Sequence, residues 1–225
     1  MLRRLAPLSV VLAVALTGCG SDNAKQSGDG QDGAANETST TTAAGCRKVT
    51  APAPKGSQHL SKPTRRLTQP TTVTLTTNCG AIAIRLNVAR APKTASSFAA
   101  LARRGFYDEL TFHRIVPGFV VQGGDPLGTG LGGPGYKVVE RPPASAVYTR
   151  RTVAMAKAGN EAAGTSGSQF FIVTAENADL PADYAIVGRV VGSYAAVAKL
   201  EATPTGPDER PTEPLVIERA TVTTG

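Results

Sequence analysis

The chain has 225 residues, room for one domain with a sizeable core plus tails. Hydrophobic residues make up 41% and aromatic residues 5%, with no tryptophan, an ordinary globular composition that excludes a membrane-embedded protein. The formal charge is +7, but no dense Lys/Arg run is interleaved with aromatic residues, which argues against nucleic acid as a partner.

Met1, Leu2, Arg3 and Arg4 open the chain with a short positive region, and an apolar run broken by Pro7 and Ser9 follows over residues 5–16. A run of about twelve residues is too short to span a bilayer and suits a secretory signal. It ends in Leu16-Thr17-Gly18-Cys19, which resembles a bacterial lipobox. That resemblance implies cleavage before Cys19, lipid on its sulfur, and an extracytoplasmic protein anchored to the bacterial cell membrane. The alternative is a plain secretory signal with a chance cysteine. Stable anchoring takes two or more acyl chains, one alone being marginal.

Residues 20–45 are Gly, Ser, Thr, Asp, Asn, Gln and Ala for the most part, too polar to fold, and are predicted to form a flexible tether. The expected organisation is therefore a signal peptide over 1–18, a tether carrying lipidated Cys19 over 19–45, a strap over 46–69 and a folded domain over 70–225. The strap contains Pro52, Pro54 and Pro63, with Pro70 just beyond it. That composition suits an extended segment, either packed on the domain or trailing from it. Cys46 and Cys79 are the remaining cysteines. In an oxidising compartment they are expected to pair, with two unpaired small hydrophobes as the alternative. There is no CxxC and no Cys/His pair, so no metal site is expected.

Residues 72–77 and 81–86 alternate apolar and polar around Asn78-Cys79-Gly80, the pattern of a tight hairpin. Pro92 opens a predicted helix that Gly105 closes. Ala95, Phe98, Ala99, Leu101 and Ala102 share one face, with Lys93, Ser97, Arg103 and Arg104 elsewhere. Residues 111–116 and 119–122 are predicted strands split by Pro117-Gly118, and glycine-rich 123–135 is loop. Further strands are expected at 152–156, 169–174, 185–191 and 215–222, with a short second helix at 194–201. Many short strands, two helices and no βαβ alternation argue for a closed antiparallel barrel. Gly128, Gly130, Gly132 and Gly133 match a dinucleotide fingerprint only loosely, and no helix follows them, so a nucleotide cofactor is not expected.

The chemistry concentrates in two segments. Phe112-His113-Arg114 is followed by Phe119, Val120 and Gln122-Gly123-Gly124-Asp125. Later come Met155-Ala156-Lys157 and Gly167-Ser168-Gln169-Phe170-Phe171-Ile172. One arginine sits among apolar and amide side chains with no nucleophile beside it, a set suited to holding a neutral apolar group and polarising one amide. Ser166 and Ser168 have no visible base partner, which argues against a hydrolase.

In this order the segments resemble the active-site segments of the cyclophilins, the peptidyl-prolyl cis-trans isomerases, over roughly residues 70–222. The resemblance implies a mainly β fold: a closed eight-stranded antiparallel barrel capped by two helices. It also implies an enzyme that assists folding without metal or cofactor. Its partners would be proline-containing unfolded or exported polypeptides, with a single chain as the expected working unit. By the same resemblance Arg114 is the catalytic residue. Phe119, Met155, Phe171 and Leu180 match the proline pocket, whose bland alternative is ordinary core packing. Gln122 matches the residue that orients the arginine and bonds the substrate backbone. Ala156 and Lys157 match the edge that pairs with the peptide, and Gln169 a substrate contact. Tyr184 stands where many relatives carry histidine. His113 is read as structural or as a contact at the groove rim.

Three departures bear on ligand choice. Asp179 stands where animal cytosolic members carry a tryptophan that bonds cyclosporin, Val120 where a methionine is common, and Val187 where a phenylalanine is common. Losing one such apolar contact costs about 1–3 kcal/mol, so weak cyclosporin binding is expected. Two other readings are a module that grips proline-containing segments without turnover and a surface adhesin using the barrel as scaffold. An intact Arg114, Phe119, Gln122 and Phe171 set favours the enzyme.

Overall fold

A computed structural model describes residues 40–225. The expected signal peptide, Cys19 and the tether up to residue 39 lie outside the described residues. In chain order the elements are β1 (Thr71–Thr77), β2 (Gly80–Leu86), α1 (Pro92–Arg103), β3 (Leu110–Val116), β4 (Val120–Gly123) and β5 (Val138–Val139). They continue with β6 (Thr152–Met155), β7 (Thr165–Ser166), β8 (Phe170–Val173), β9 (Ile186–Val191), α2 (Ala195–Glu201) and β10 (Val216–Thr224). Eight strands close an antiparallel barrel in the order β1-β10-β3-β4-β8-β6-β9-β2, as expected, while β5 and β7 pair apart from it. That small pair escapes sequence reasoning because two residues per strand leave no alternation to read.

The barrel interior is filled, not hollow. Val73, Leu75, Ile82, Ile84, Phe112, Ile115, Val121, Ile172 and Ile217 are all fully buried, supplied by alternate positions of the strands. Phe98 of α1 reaches the same cluster, its ring centroid 5.5 Å from that of Phe170 and 4.8 Å from that of Tyr107. The helix packs against β9 and β10, while α2 packs against β2, β3 and β4. Strands that far apart round the wall meet one helix only at an open end of the barrel. No α1 residue caps its own N-terminus. Instead the Glu140 carboxylate accepts from the Thr94 and Lys93 N–H groups at 2.8 and 3.1 Å, placing negative charge at the positive end of the helix dipole. Ser97, expected off the core face, is buried; its Oγ hydrogen-bonds the Tyr136 hydroxyl at 3.0 Å, because the loop before β5 covers that side.

The strap packs on the barrel rather than trailing from it. Lys55 N–H donates to the Pro126 carbonyl, Leu60 N–H to that of Pro134, and Leu67 N–H to Ser96 Oγ. Leu60 and Leu67 rest on the core. Residues 40–45 were expected to belong to the tether. They instead turn tightly back, with the Thr42 N–H donating to the Cys46 carbonyl at 2.7 Å and the Cys46 N–H to Thr42 Oγ1 at 3.0 Å. A disulfide joins Cys46 to Cys79 across a sequence separation of 33. Closing a loop of that length restricts the unfolded chain and contributes about 4 kcal/mol. The Cys46→Ser, Cys79→Ser double variant should therefore unfold at distinctly lower urea, with a stability loss near that figure. Coincident unfolding curves would refute the estimate.

Candidate active site

The site grows from strand register. Arg114 of β3 pairs with Gln122 of β4, Gln122 with Phe171 of β8, and Phe171 with Ala154 of β6. Directly opposed residues project to one face, so this row lies on the outside of the wall, with Ile115, Val121, Ile172 and Val153 behind it inside. All four residues of β8 are nonetheless buried. The outer face is covered too: Phe171, Val120, Val173 and Ala154 form a second cluster with Tyr148, and Phe119, Leu180, Tyr184 and Ile186 pack against it.

Tyr148 holds this cover in place. Its hydroxyl donates to the Tyr184 carbonyl at 2.8 Å and accepts from the Tyr184 N–H at 3.0 Å. The Tyr184 ring meets Phe171 edge-on at 5.5 Å between centroids. A cleft of about 190 Å³ opens between these walls, lined by Arg114, Phe119, Val120, Gln122, Ala156, Lys157, Phe171, Leu180 and Tyr184. Beside it lies a second cleft of about 180 Å³, whose lining includes Gln122, Ala156, Lys157 and Gln169 as well as Gly130 and Leu131. The Lys157 ammonium lies 5.7 Å from the Tyr184 ring centroid and donates to the Glu161 carbonyl at 3.1 Å, fixing that rim. The Ala156 N–H donates to the Gln169 carbonyl at 2.9 Å, so that donor is already engaged within the protein.

A polar chain crosses the floor. Arg114 Nε donates to Glu209 Oε2 at 2.5 Å and Nη1 to Gln122 Oε1 at 3.4 Å. Gln122 Nε2 donates to Gln169 Oε1 at 3.1 Å, and Gln169 Nε2 donates to the carbonyls of Gly130 and Gly132 at 2.8 and 2.9 Å. The loop carrying those carbonyls is organised by Asp125, whose carboxylate accepts from the N–H groups of Leu127, Thr129 and Gly130. Gly124 makes the turn into it at φ +84°, and a Cβ there would lie 2.6 Å from the Ser168 carbonyl oxygen. Only glycine takes that backbone and that proximity.

Two expected placements change, and for His113 the structure chooses between the two readings. Met155 belongs to the barrel interior, 1% exposed, because β6 turns Ala154 outward and Met155 inward. His113 does not line the cleft; it is 7% exposed with neither ring nitrogen hydrogen-bonded among the described residues. Burial holds its pKa below the usual imidazole value, with Asp125 pulling the other way and Arg210 and Arg114 adding to the lowering. It is a packed, neutral ring behind the arginine. Val187 likewise faces inward, and Ile186 packs behind the cleft in its place. Sequence reasoning missed Glu209, which lies 95 residues from Arg114 in a turn with no periodic signal, and Tyr148, an isolated aromatic between strands.

The molecule is thus a filled antiparallel barrel with an open cleft on its outer wall, where one guanidinium meets the side chains of Phe119, Val120, Phe171 and Leu180. Residues 72–222 match the family described as cyclophilin type peptidyl-prolyl cis-trans isomerase/CLD. Peptidyl-prolyl cis-trans isomerase A of Mycobacterium tuberculosis is 40% identical over 169 residues, 67% of this chain and 91% of that protein. Peptidyl-prolyl cis-trans isomerase B of Streptomyces anulatus is 41% identical over 170 residues, 67% of this chain and 95% of that protein. A crystal structure of a Cryptosporidium parvum cyclophilin-type isomerase, obtained in the presence of the dipeptide Ala-Pro, superposes with a TM-score of 0.63 at 31% identity. It covers 68% of this chain and 99% of that one. The chain belongs to the cyclophilin-type peptidyl-prolyl cis-trans isomerases and is an isomerase of X-Pro peptide bonds.

Proposed function

We propose that this isomerase works outside the cytoplasm, tethered to the membrane by lipid on Cys19, and speeds the folding of exported polypeptides by turning their X-Pro bonds. Arg114 is its electrostatic element. The observation that carries the reading is the Arg114 guanidinium in the lining of a cleft of about 190 Å³, together with the apolar side chains of Phe119, Val120, Phe171 and Leu180. A space of that size suits a proline ring. The leader pattern ending at Cys19 and the Cys46–Cys79 disulfide support the location.

Rotation about an X-Pro bond is slow because amide resonance sets a barrier of about 18–20 kcal/mol. Weakening that resonance needs no covalent step. Phe119, Val120, Phe171 and Leu180 hold the ring still. A guanidinium N–H directed at the prolyl nitrogen stabilises its pyramidal form, in which the lone pair has left the carbonyl and the bond is single in character. Arginine stays charged and offers a rigid fork of donors, and the partly dry cleft strengthens the interaction. The acyl side of the bond turns while the ring does not.

Fractionation of bacteria expressing the full chain tests the reading. Isomerase activity toward an Ala-Pro peptide should sediment with the membranes. The Cys19→Ala variant should carry the same activity per molecule in the soluble fraction. Parent activity found only in the soluble fraction would remove the anchor, and membranes rich in the protein yet without acceleration would remove the assigned site.

A further inference from the structure

We infer that Glu209 is the positioning residue for Arg114, selecting which of its N–H groups face the bound proline. The inference rests on the proposed electrostatic role of Arg114 and deepens it. Glu209 lies outside the residues that line the cleft, yet its carboxylate accepts from Arg114 Nε at 2.5 Å. Gln122 takes Nη1 loosely at 3.4 Å, and Nη2 has no protein partner among the described residues. A planar group held at Nε and steadied at Nη1 has its plane defined and presents Nη2 as the free donor.

The backbone of Glu209 is built for this task. Its carbonyl accepts from the N–H of Ile115, the residue next to Arg114, at 2.8 Å, and its own N–H donates to the Gly206 carbonyl at 3.0 Å. Its φ is +63°, a conformation unfavourable for a residue with a side chain and retained where surroundings impose it. The following residue, Arg210, donates to the Gly128 carbonyl at 3.0 Å, tying the turn to the loop that carries Gly130. A side chain on a loose loop would lose rotamer entropy on pairing; here most of that ordering already resides in the backbone.

The carboxylate also has an opposite effect, since negative charge beside the guanidinium damps its field. The two roles differ in sign. If positioning dominates, removing Glu209 slows catalysis; if damping dominates, removal speeds it. In the full chain, Glu209→Ala should lower kcat about tenfold with little change in KM, as expected when a reacting group is misaligned. Glu209→Gln still offers an acceptor to Nε and should lose less. In an Arg114→Ala background, Glu209→Ala should cost nothing further. The Arg114 Nε–H resonance, slowed in exchange with water in the parent, should broaden in Glu209→Ala while Tm stays unchanged. An unchanged or faster kcat in Glu209→Ala, with Arg114→Ala still strongly impaired, would overturn positioning. An equal loss in the Arg114→Ala background would show a structural role and overturn it too. Full activity in Arg114→Ala would refute the arginine's own role and this inference with it.

Discussion

Replacing Arg114 with alanine is expected to lower kcat/KM toward an Ala-Pro test peptide by about 10²–10³-fold, the usual loss on deleting one preorganised donor to a developing charge. The fold should survive. The Arg114 side chain is 36% exposed and its ion-pair partner Glu209 46%, and a pair that wet contributes little to stability. Pairing is compatible with the proposed catalytic role, because Glu209 occupies Nε and leaves the end of the fork free. Arg114→Lys sharpens the test. It keeps the charge but loses the planar fork, so it should recover only a small part of the lost rate. A drop of less than about threefold in Arg114→Ala, far below the cost of one such donor, would mean that the rest of the cleft turns the bond without the guanidinium.

The hairpin β1–β2, the helix starting at Pro92 and the strand carrying Phe112-His113-Arg114 are legible because each has a local signal: alternation on either side of a turn, a helix-opening proline, or an apolar run of strand length. Facing is harder to read wherever both sides of the wall are covered. Along Phe170-Phe171-Ile172-Val173 every residue is buried, so no contrast tells which ring fills the barrel and which lines the cleft. The same loss of contrast at Thr152–Met155 puts Met155 in the interior against expectation. For His113 the sequence leaves a structural role and a rim contact open, and only its burial, a tertiary property, decides for the first. Glu209 is a purely tertiary event: nothing within its own turn announces a partner in β3. Residues 40–45 have the composition of a tether, and they turn back because the Cys46–Cys79 bond and the Arg47 N–H donating to the Asn78 carbonyl hold their far end.

Phe170 sits at the junction of core and site, and Phe170→Ala is expected to destabilise the barrel by about 3–5 kcal/mol, the range for emptying a buried aromatic site. The ring is 0% exposed. It meets Phe98, Tyr107 and Phe112 edge-on at centroid distances of 5.5, 5.8 and 6.0 Å, each pair adding to the simple burial of area. The void would be hard to close. Gly124 lies against one edge of the ring, and its backbone is held by Ser168 Oγ, which donates to the Gly124 carbonyl at 2.8 Å. The Tyr107 hydroxyl in turn donates to the Ser168 carbonyl at 3.2 Å. These hydrogen bonds set the path of the loop bearing Gly130 and Gly132, whose carbonyls anchor Gln169 and, through it, Gln122. Urea unfolding measures the loss. Phe170→Leu, which keeps most of the volume, should unfold at a midpoint between those of the parent and Phe170→Ala and provides the comparison if the alanine variant fails to fold. A loss below about 1.5 kcal/mol in Phe170→Ala, typical of a volume-conserving swap, would mean that the aromatic neighbours collapse into the space. In that case the β8 register beneath Phe171 should shift, and isomerase activity of the folded variant would fall even though stability had held.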